Sequence, residues 1–99
     1  MNDDQLRSAL TLLRRGELDA FEQIYTELST PLFTVILRIT QDRALSEDIL
    51  QEVFLKLYQS PPGPEVRKPR AYLFQTARNL ALDALRRRPS EADVDELSG

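Results

Sequence analysis

The sequence predicts an all-α protein, a compact bundle of four to five helices. Three observations carry that reading. Apolar residues recur at steps of three and four through four separate stretches of the 99-residue chain. Ile and Val crowd together only around residues 35–39, and no stretch elsewhere alternates in the way a partner strand requires. Proline and glycine gather in one segment, Ser60–Pro69, with Gly16, Pro31 and Pro89 as the other interior breaks. Hydrophobic residues make up 41% of the chain, enough for one small domain with a core of its own.

The first helix runs to about Arg15, with Asp3 or Asp4 as its cap and Leu6, Leu10 and Leu13 as its apolar stripe. Arg14 and Arg15 suit its negative end, and Gly16 suits its stop. Asp19 is the next expected cap, ahead of a face made of Phe21, Ile24, Tyr25 and Leu28. Pro31 either opens a new helix capped by Thr30 or kinks a long one. The turns after it, from Leu32 to Ile39, are apolar almost all round, the pattern of a helix at the centre of a bundle. A polar connection over 41–45 then leads to Ser46 as a cap, with Ile49, Leu50, Val53, Phe54, Leu57 and Tyr58 as the inner stripe of the helix that follows.

Ser60–Pro69, SPPGPEVRKP, holds four prolines and a glycine and is expected to be a semi-rigid loop. The last helix runs from Pro69 to Arg88, with Pro at its first position and Pro89 beyond its end. Its nineteen or so residues would span roughly 28 Å. Leu73, Phe74, Ala77, Leu80, Ala81, Ala84 and Leu85 fall on one side, and Tyr72, Gln75, Thr76, Asn79, Asp83 and Arg86 on the other. Residues 90–99 read as a short acidic tail or the start of a linker.

Composition removes several function classes. Cysteine and histidine are both absent. No disulfide, His/Cys zinc site, histidine base or Ser–His pair can therefore form. There is no glycine-rich phosphate loop, and acidic pairs such as Glu47/Asp48 and Asp93/Asp95 lack the loop pattern of a Mg²⁺ or Ca²⁺ site. Neither an enzyme activity nor a cofactor is expected. No apolar run approaches the roughly 20 residues that span a bilayer, and MNDDQLRSALTLLRR has no signal-peptide core. The chain is expected to be cytoplasmic, without membrane insertion.

The net charge of −3 hides an uneven distribution. Residues 1–66 carry −5, residues 67–88 carry +6 and residues 89–99 carry −4. A low overall pI therefore leaves a basic block over the last helix, and the local field governs association with nucleic acid.

Two surfaces stand out. On the helix over 46–59, Asp48, Gln51, Glu52 and Leu55 lie at i, i+3, i+4 and i+7, opposite the core stripe. They form an acidic and amide patch with one exposed leucine that could meet a basic partner helix. The same spacing also describes an ordinary solvated face. On the last helix, Arg86, Arg87 and Arg88, with Arg67, Lys68 and Arg70 at its start, suit attraction to phosphates. There Tyr72 can stack an unpaired base and Asn79 can read a base edge. The arginines equally suit the helix dipole, and Tyr72 could pack sideways on Tyr58 or the loop.

The run DAFEQIYTELSTPLFTVILRITQDRALSEDILQEVFLKLY, followed by PRAYLFQTARNLALDALRRR, resembles the second conserved region of extracytoplasmic-function (ECF) sigma factors, in the bacterial sigma-70 family. The resemblance covers about residues 19–88. It implies that Asp48, Gln51, Glu52 and Leu55 dock on core RNA polymerase, at the coiled coil of the β′ clamp, with Phe54 in the core beneath. It implies that Lys68, Arg70, Tyr72, Gln75, Arg78, Asn79, Arg86 and Arg87 contact promoter DNA. The ligand would be the non-template strand of the −10 element, held single with one base extruded. An anti-sigma factor is an implied partner, and residues 1–89 become the region 2 domain. The loop over 60–68 is shorter than in many family members and has no aromatic, which leaves the base it reads open. The family's linker and second helix-turn-helix domain, which reads the −35 element, would be expected after residue 99. The other reading is a helical protein–protein interaction domain of the same fold that sequesters a transcription regulator.

Overall fold

The computed structural model describes residues 1–87, and these form four helices with no strand among them. They are α1 (Asp3–Arg14), α2 (Leu18–Thr40), α3 (Arg43–Gln59) and α4 (Pro69–Arg87). Helix α2 packs against each of the others, α3 packs against α4, and α1 closes over α2 and α4. The expected end of the last helix at Arg88, its stop at Pro89 and the acidic tail lie outside the described residues.

The core follows the apolar stripes. Leu6, Leu10 and Leu13 of α1 meet Ile24, Leu28, Leu32 and Ile36 of α2, Ile49, Val53, Phe54 and Leu57 of α3, and Leu73, Ala77 and Ala81 of α4, all buried. The small Ala77 and Ala81 let α4 approach its neighbours closely, and both are fully buried. Phe74, Leu80 and Ala84 are only partly buried and flank that seam.

Local chemistry sets the helix ends, often with residues other than the expected ones. The cap of α1 is Asn2, not Asp3 or Asp4: Asn2 Oδ1 accepts from the Gln5 N–H at 2.8 Å and Gln5 Oε1 accepts from the Asn2 N–H at 2.8 Å, a reciprocal capping box. At its other end the Gly16 N–H donates to the Leu13 carbonyl and the Glu17 N–H to the Leu12 carbonyl. That pair of bonds is a Schellman motif, and Gly16 supplies the φ of +89° it needs.

Helix α2 begins after Glu17, not Asp19, and continues through Pro31. A proline inside a helix costs about 3 kcal/mol because Glu27 loses its donor. Offsetting that cost, Ile24, Leu28, Leu32 and Ile36 are buried to within 1% exposure along one stripe on either side of it. Thr30 is helical and its carbonyl accepts the Thr34 hydroxyl at 2.9 Å. The turns around Leu32–Ile39 are less enclosed than expected, since Phe33, Val35, Leu37 and Ile39 are only half-buried.

The α2–α3 connection is tighter than the sequence suggests. Gln41 ends α2 in the left-handed region at φ 54°, and Asp42 caps α3 by accepting from the Leu45 N–H at 3.0 Å. Ser46 is therefore no cap. It lies fully buried one turn into α3, its hydroxyl 2.6 Å from that of Thr40, and the pair ties α3 to the end of α2. Tyr58 leaves the expected inner stripe: it is 51% exposed and stacks edge-on against Phe21.

Candidate polymerase and nucleic-acid interfaces

Helix α3 turns Ile49, Val53 and Leu57 inward, so the residues half a turn away must face out. Asp48, Gln51, Glu52 and Leu55 are all exposed, and Phe54 is buried. Leu55 shows 53% of its surface at the C-terminal end of this acidic and amide set. Alongside it a groove of about 420 Å³ runs between α2 and α3, lined by Tyr25, Phe33, Arg43, Glu47, Leu50 and Gln51, with Ser29 and Thr30. Tyr25 packs on Phe54 at 4.7 Å between ring centroids, and the Arg43 guanidinium lies 5.7 Å over the Phe33 ring. The sequence had placed Tyr25 and Phe33 inside the bundle. Their signal was there: Tyr25, Ser29 and Phe33 recur at steps of four and so share one edge of α2.

On α4, Tyr72 is 44% exposed at the mouth of a cleft of about 270 Å³. Val53, Leu57 and Leu73 form the apolar side of that cleft, and Lys56, Gln59, Ser60, Pro62 and Thr76 complete its lining. Tyr72 does not stack on Tyr58, which is taken by Phe21. Lys56 and Gln59 belong to the end of α3. Sequence reasoning missed them because only the packing of α3 beside α4 brings them to Tyr72.

Gln75 and Asn79 are exposed one turn apart, and the Gln75 amide donates to Asn79 Oδ1 at 2.8 Å. That bond fixes both side chains and leaves the Asn79 NH₂ as a donor and the Gln75 carbonyl oxygen as an acceptor. A donor beside an acceptor is what a base edge needs. On the other flank, Arg70, Ala71, Phe74, Gln75 and Arg78 line a shallow groove.

The cations differ in freedom. Lys68, Arg78 and Arg87 are exposed. Arg86 is exposed too and pairs with Asp83 one turn before it. Arg70 is half-buried: Nη1 donates to the Met1 carbonyl at 2.8 Å and the guanidinium lies 5.3 Å over the Phe74 ring. The structure thus gathers Tyr72, Gln75, Asn79 and Arg78 along one exposed side of α4 and holds Arg70 back toward α1. Arg86 and Arg87 stand apart, at the far end of the helix.

Among the described residues no three metal-ligating side chains come together, and no helix is long and apolar enough to cross a membrane. Among the described residues, fold and surfaces together define an all-helical domain carrying one acidic face and one aromatic, amide and cationic face on adjacent helices. Residues 24–91 match the sigma-70 region 2 family, and the chain belongs to that family, which is non-enzymatic.

Its relatives are ECF RNA polymerase sigma factors. It is 33% identical over 79 residues to SigM of Bacillus subtilis, covering 79% of this chain and 48% of that protein. It is 40% identical over 73 residues to SigL of Mycobacterium tuberculosis, covering 72% and 41% respectively. It is 25% identical over 96 residues to SigW of Bacillus subtilis, covering 95% and 51%. The chain therefore spans about half or less of the length of these curated relatives. No solved structure gives a significant match.

Proposed function

We propose that residues 1–89 act in transcription initiation as the −10 domain of an ECF sigma factor, docking on core RNA polymerase through α3 and holding promoter DNA on α4. Asp48, Gln51, Glu52 and Leu55 would meet the β′ clamp coiled coil, with charge for specificity and Leu55 as a small desolvated centre. Lys68, Arg78, Arg86 and Arg87 would follow the phosphates of the non-template strand. Residues 90–99 would open the linker to a −35-reading domain, and an anti-sigma factor would compete for the same two faces.

One observation carries the reading: Tyr72 stands exposed at a cleft whose lining is part apolar and part polar, with the fixed Gln75–Asn79 amide pair on the same side of the helix. Extruding a base costs a few kcal/mol. Stacking on an aromatic returns about 1–3 kcal/mol and edge hydrogen bonds supply the rest. An aromatic, a donor–acceptor pair and a cation on one rigid helix are suited to that exchange.

The test uses a fluorescein-labelled pool of single-stranded oligonucleotides, the same pool as duplex, and a β′ clamp coiled-coil fragment. Salt-sensitive binding to the single strands is expected, weakened by Tyr72→Ala or Asn79→Ala. Binding to the fragment is expected to weaken with Asp48→Ala or Gln51→Ala. If the DNA variants bind as wild type and the fragment does not bind at all, the sequestering interaction domain is the better reading.

A further inference from the structure

Helix α1 ends ten residues before the stretch that matches the family, yet it holds the segment on which the proposed DNA site depends. Arg14 Nη1 donates to the Pro62 carbonyl at 2.6 Å. Arg7 Nη2 donates to the Arg67 carbonyl at 2.8 Å. Asp3 Oδ1 accepts from the Arg70 N–H at 2.9 Å. Residues 3, 7 and 14 fall within about 40° of one another around a helix turning 100° per residue. They form one polar line beside the stripe of Leu6, Leu10 and Leu13. Their partners come in reverse order, 70, 67 and 62, so the α3–α4 loop lies antiparallel along α1.

The loop's composition explains why it needs such a support. Pro61, Pro62, Pro64 and Pro69 have no N–H, so the segment is short of internal donors while keeping every carbonyl. Between Pro61 and Lys68 one internal backbone bond stands out, from the Val66 N–H to the Gly63 carbonyl at 3.1 Å. The arginines of α1 supply donors that the loop cannot. Asp3 serves twice, its charge lying in the first turn of α1 and against the first turn of α4, where both helix dipoles favour an anion. Thr11 and Asp4 hold the two arginines in place: Arg14 Nη2 donates to the Thr11 hydroxyl and Arg7 Nη1 to Asp4.

We propose that α1 is a splint that sets the path of the loop over 61–68 and the entry of α4, with Asp3, Arg7 and Arg14 as positioning residues for single-stranded DNA capture at Tyr72. Pro62 lines the Tyr72 cleft directly, so moving its carbonyl moves the wall of the site. The proposal rests on the promoter-DNA reading above. It adds a requirement for residues of α1 that lie outside the proposed DNA-contacting set.

Arg14 and its neighbour Arg15 give a matched pair for the test, since both are exposed arginines at the end of α1 and only Arg14 reaches the loop carbonyl at Pro62. Arg14→Gln is expected to weaken binding of the single-stranded pool about fivefold, the scale of one lost charge-assisted hydrogen bond. Arg15→Gln removes the same charge and is expected to bind within a factor of two or so, as an exposed charge that makes no bond to the loop carbonyl at Pro62 should. Arg14→Lys keeps a donor and is expected to recover most of the loss. Asp3→Ala is expected to speed amide hydrogen exchange at Arg70, read by mass spectrometry over 61–72, while affinity for the β′ fragment stays unchanged. If wild-type protein binds the pool, and Arg14→Gln matches Arg15→Gln with unaltered exchange over 61–72, the splint is wrong and the promoter reading survives. If wild-type protein binds no single-stranded DNA, the promoter reading and the splint fall together.

Discussion

Helices α3 and α4 are neighbours built from the same kind of amphipathic sequence, yet their outward faces are made differently. On α3 the face is local. Asp48, Gln51, Glu52 and Leu55 stand clear of the fold, and a straight helix with Ile49, Val53 and Leu57 buried behind it is all they need. On α4 the face is assembled. Tyr72 borders a cleft partly walled by α3 and the loop, Gln75 is fixed by Asn79, Arg70 is drawn back to Met1, and the first turn is braced by Asp3. A docking surface can be a row of side chains on a cylinder. A surface proposed to hold a flexible strand and an extruded base gains from being preorganised, since every unfixed side chain adds an entropic cost to binding.

The strongest way to break this contrast is to remove what both faces share. Phe54 is buried beneath the exposed face of α3 and packs on Phe21 and Tyr25. Phe54→Ala is expected to cost about 3–5 kcal/mol, read by chemical denaturation, and to weaken both ligands together. Next in size, Tyr72→Ala should reduce affinity for single-stranded DNA by about 1–3 kcal/mol while leaving thermal stability and β′ fragment binding in place. Glu52→Lys is the counterpart on α3. By reversing a charge at the interface it should weaken the β′ fragment about tenfold or more, with DNA affinity held or slightly raised.

How far these faces could be read from sequence follows the same division. The helices, their core stripes and the outward set on α3 are local periodicities, and a chain met for the first time displays them. The caps were less legible because Asn2, Glu17 and Asp42 each sit one or more residues from a better-looking candidate, and the geometry of the preceding turn decides which one serves. Ser46 looked like a cap and is a buried hydroxyl, since its partner Thr40 closes a two-residue connection that polarity alone made look longer. The cleft at Tyr72 and the grip of α1 on the loop were out of reach altogether. The cleft joins the end of α3 and the loop to α4, the grip of α1 joins residues 48 to 67 positions apart, and no spacing rule covers either.

Smaller perturbations sharpen the contrast. Ser46→Ala removes the buried Thr40–Ser46 hydroxyl pair while leaving Thr40 its bonds to the Asp42 backbone, and should destabilise the fold by about 1 kcal/mol, measured in urea, with both ligands bound normally once folded. Arg78→Gln should lower the steepness of the salt dependence of single-strand binding by about 0.7 in log K against log salt, the effect of one phosphate contact. It should not touch the β′ fragment.

Two adjacent helices are proposed to carry two separable functions. The most direct measurement is a crossed pair of titrations, Tyr72→Ala and Glu52→Lys each against the labelled single-stranded pool and the β′ clamp fragment. A crossover is expected: Tyr72→Ala loses DNA and keeps the fragment, and Glu52→Lys loses the fragment and keeps DNA. If both variants lose both ligands in proportion, or neither loses either, the division of labour between α3 and α4 is contradicted.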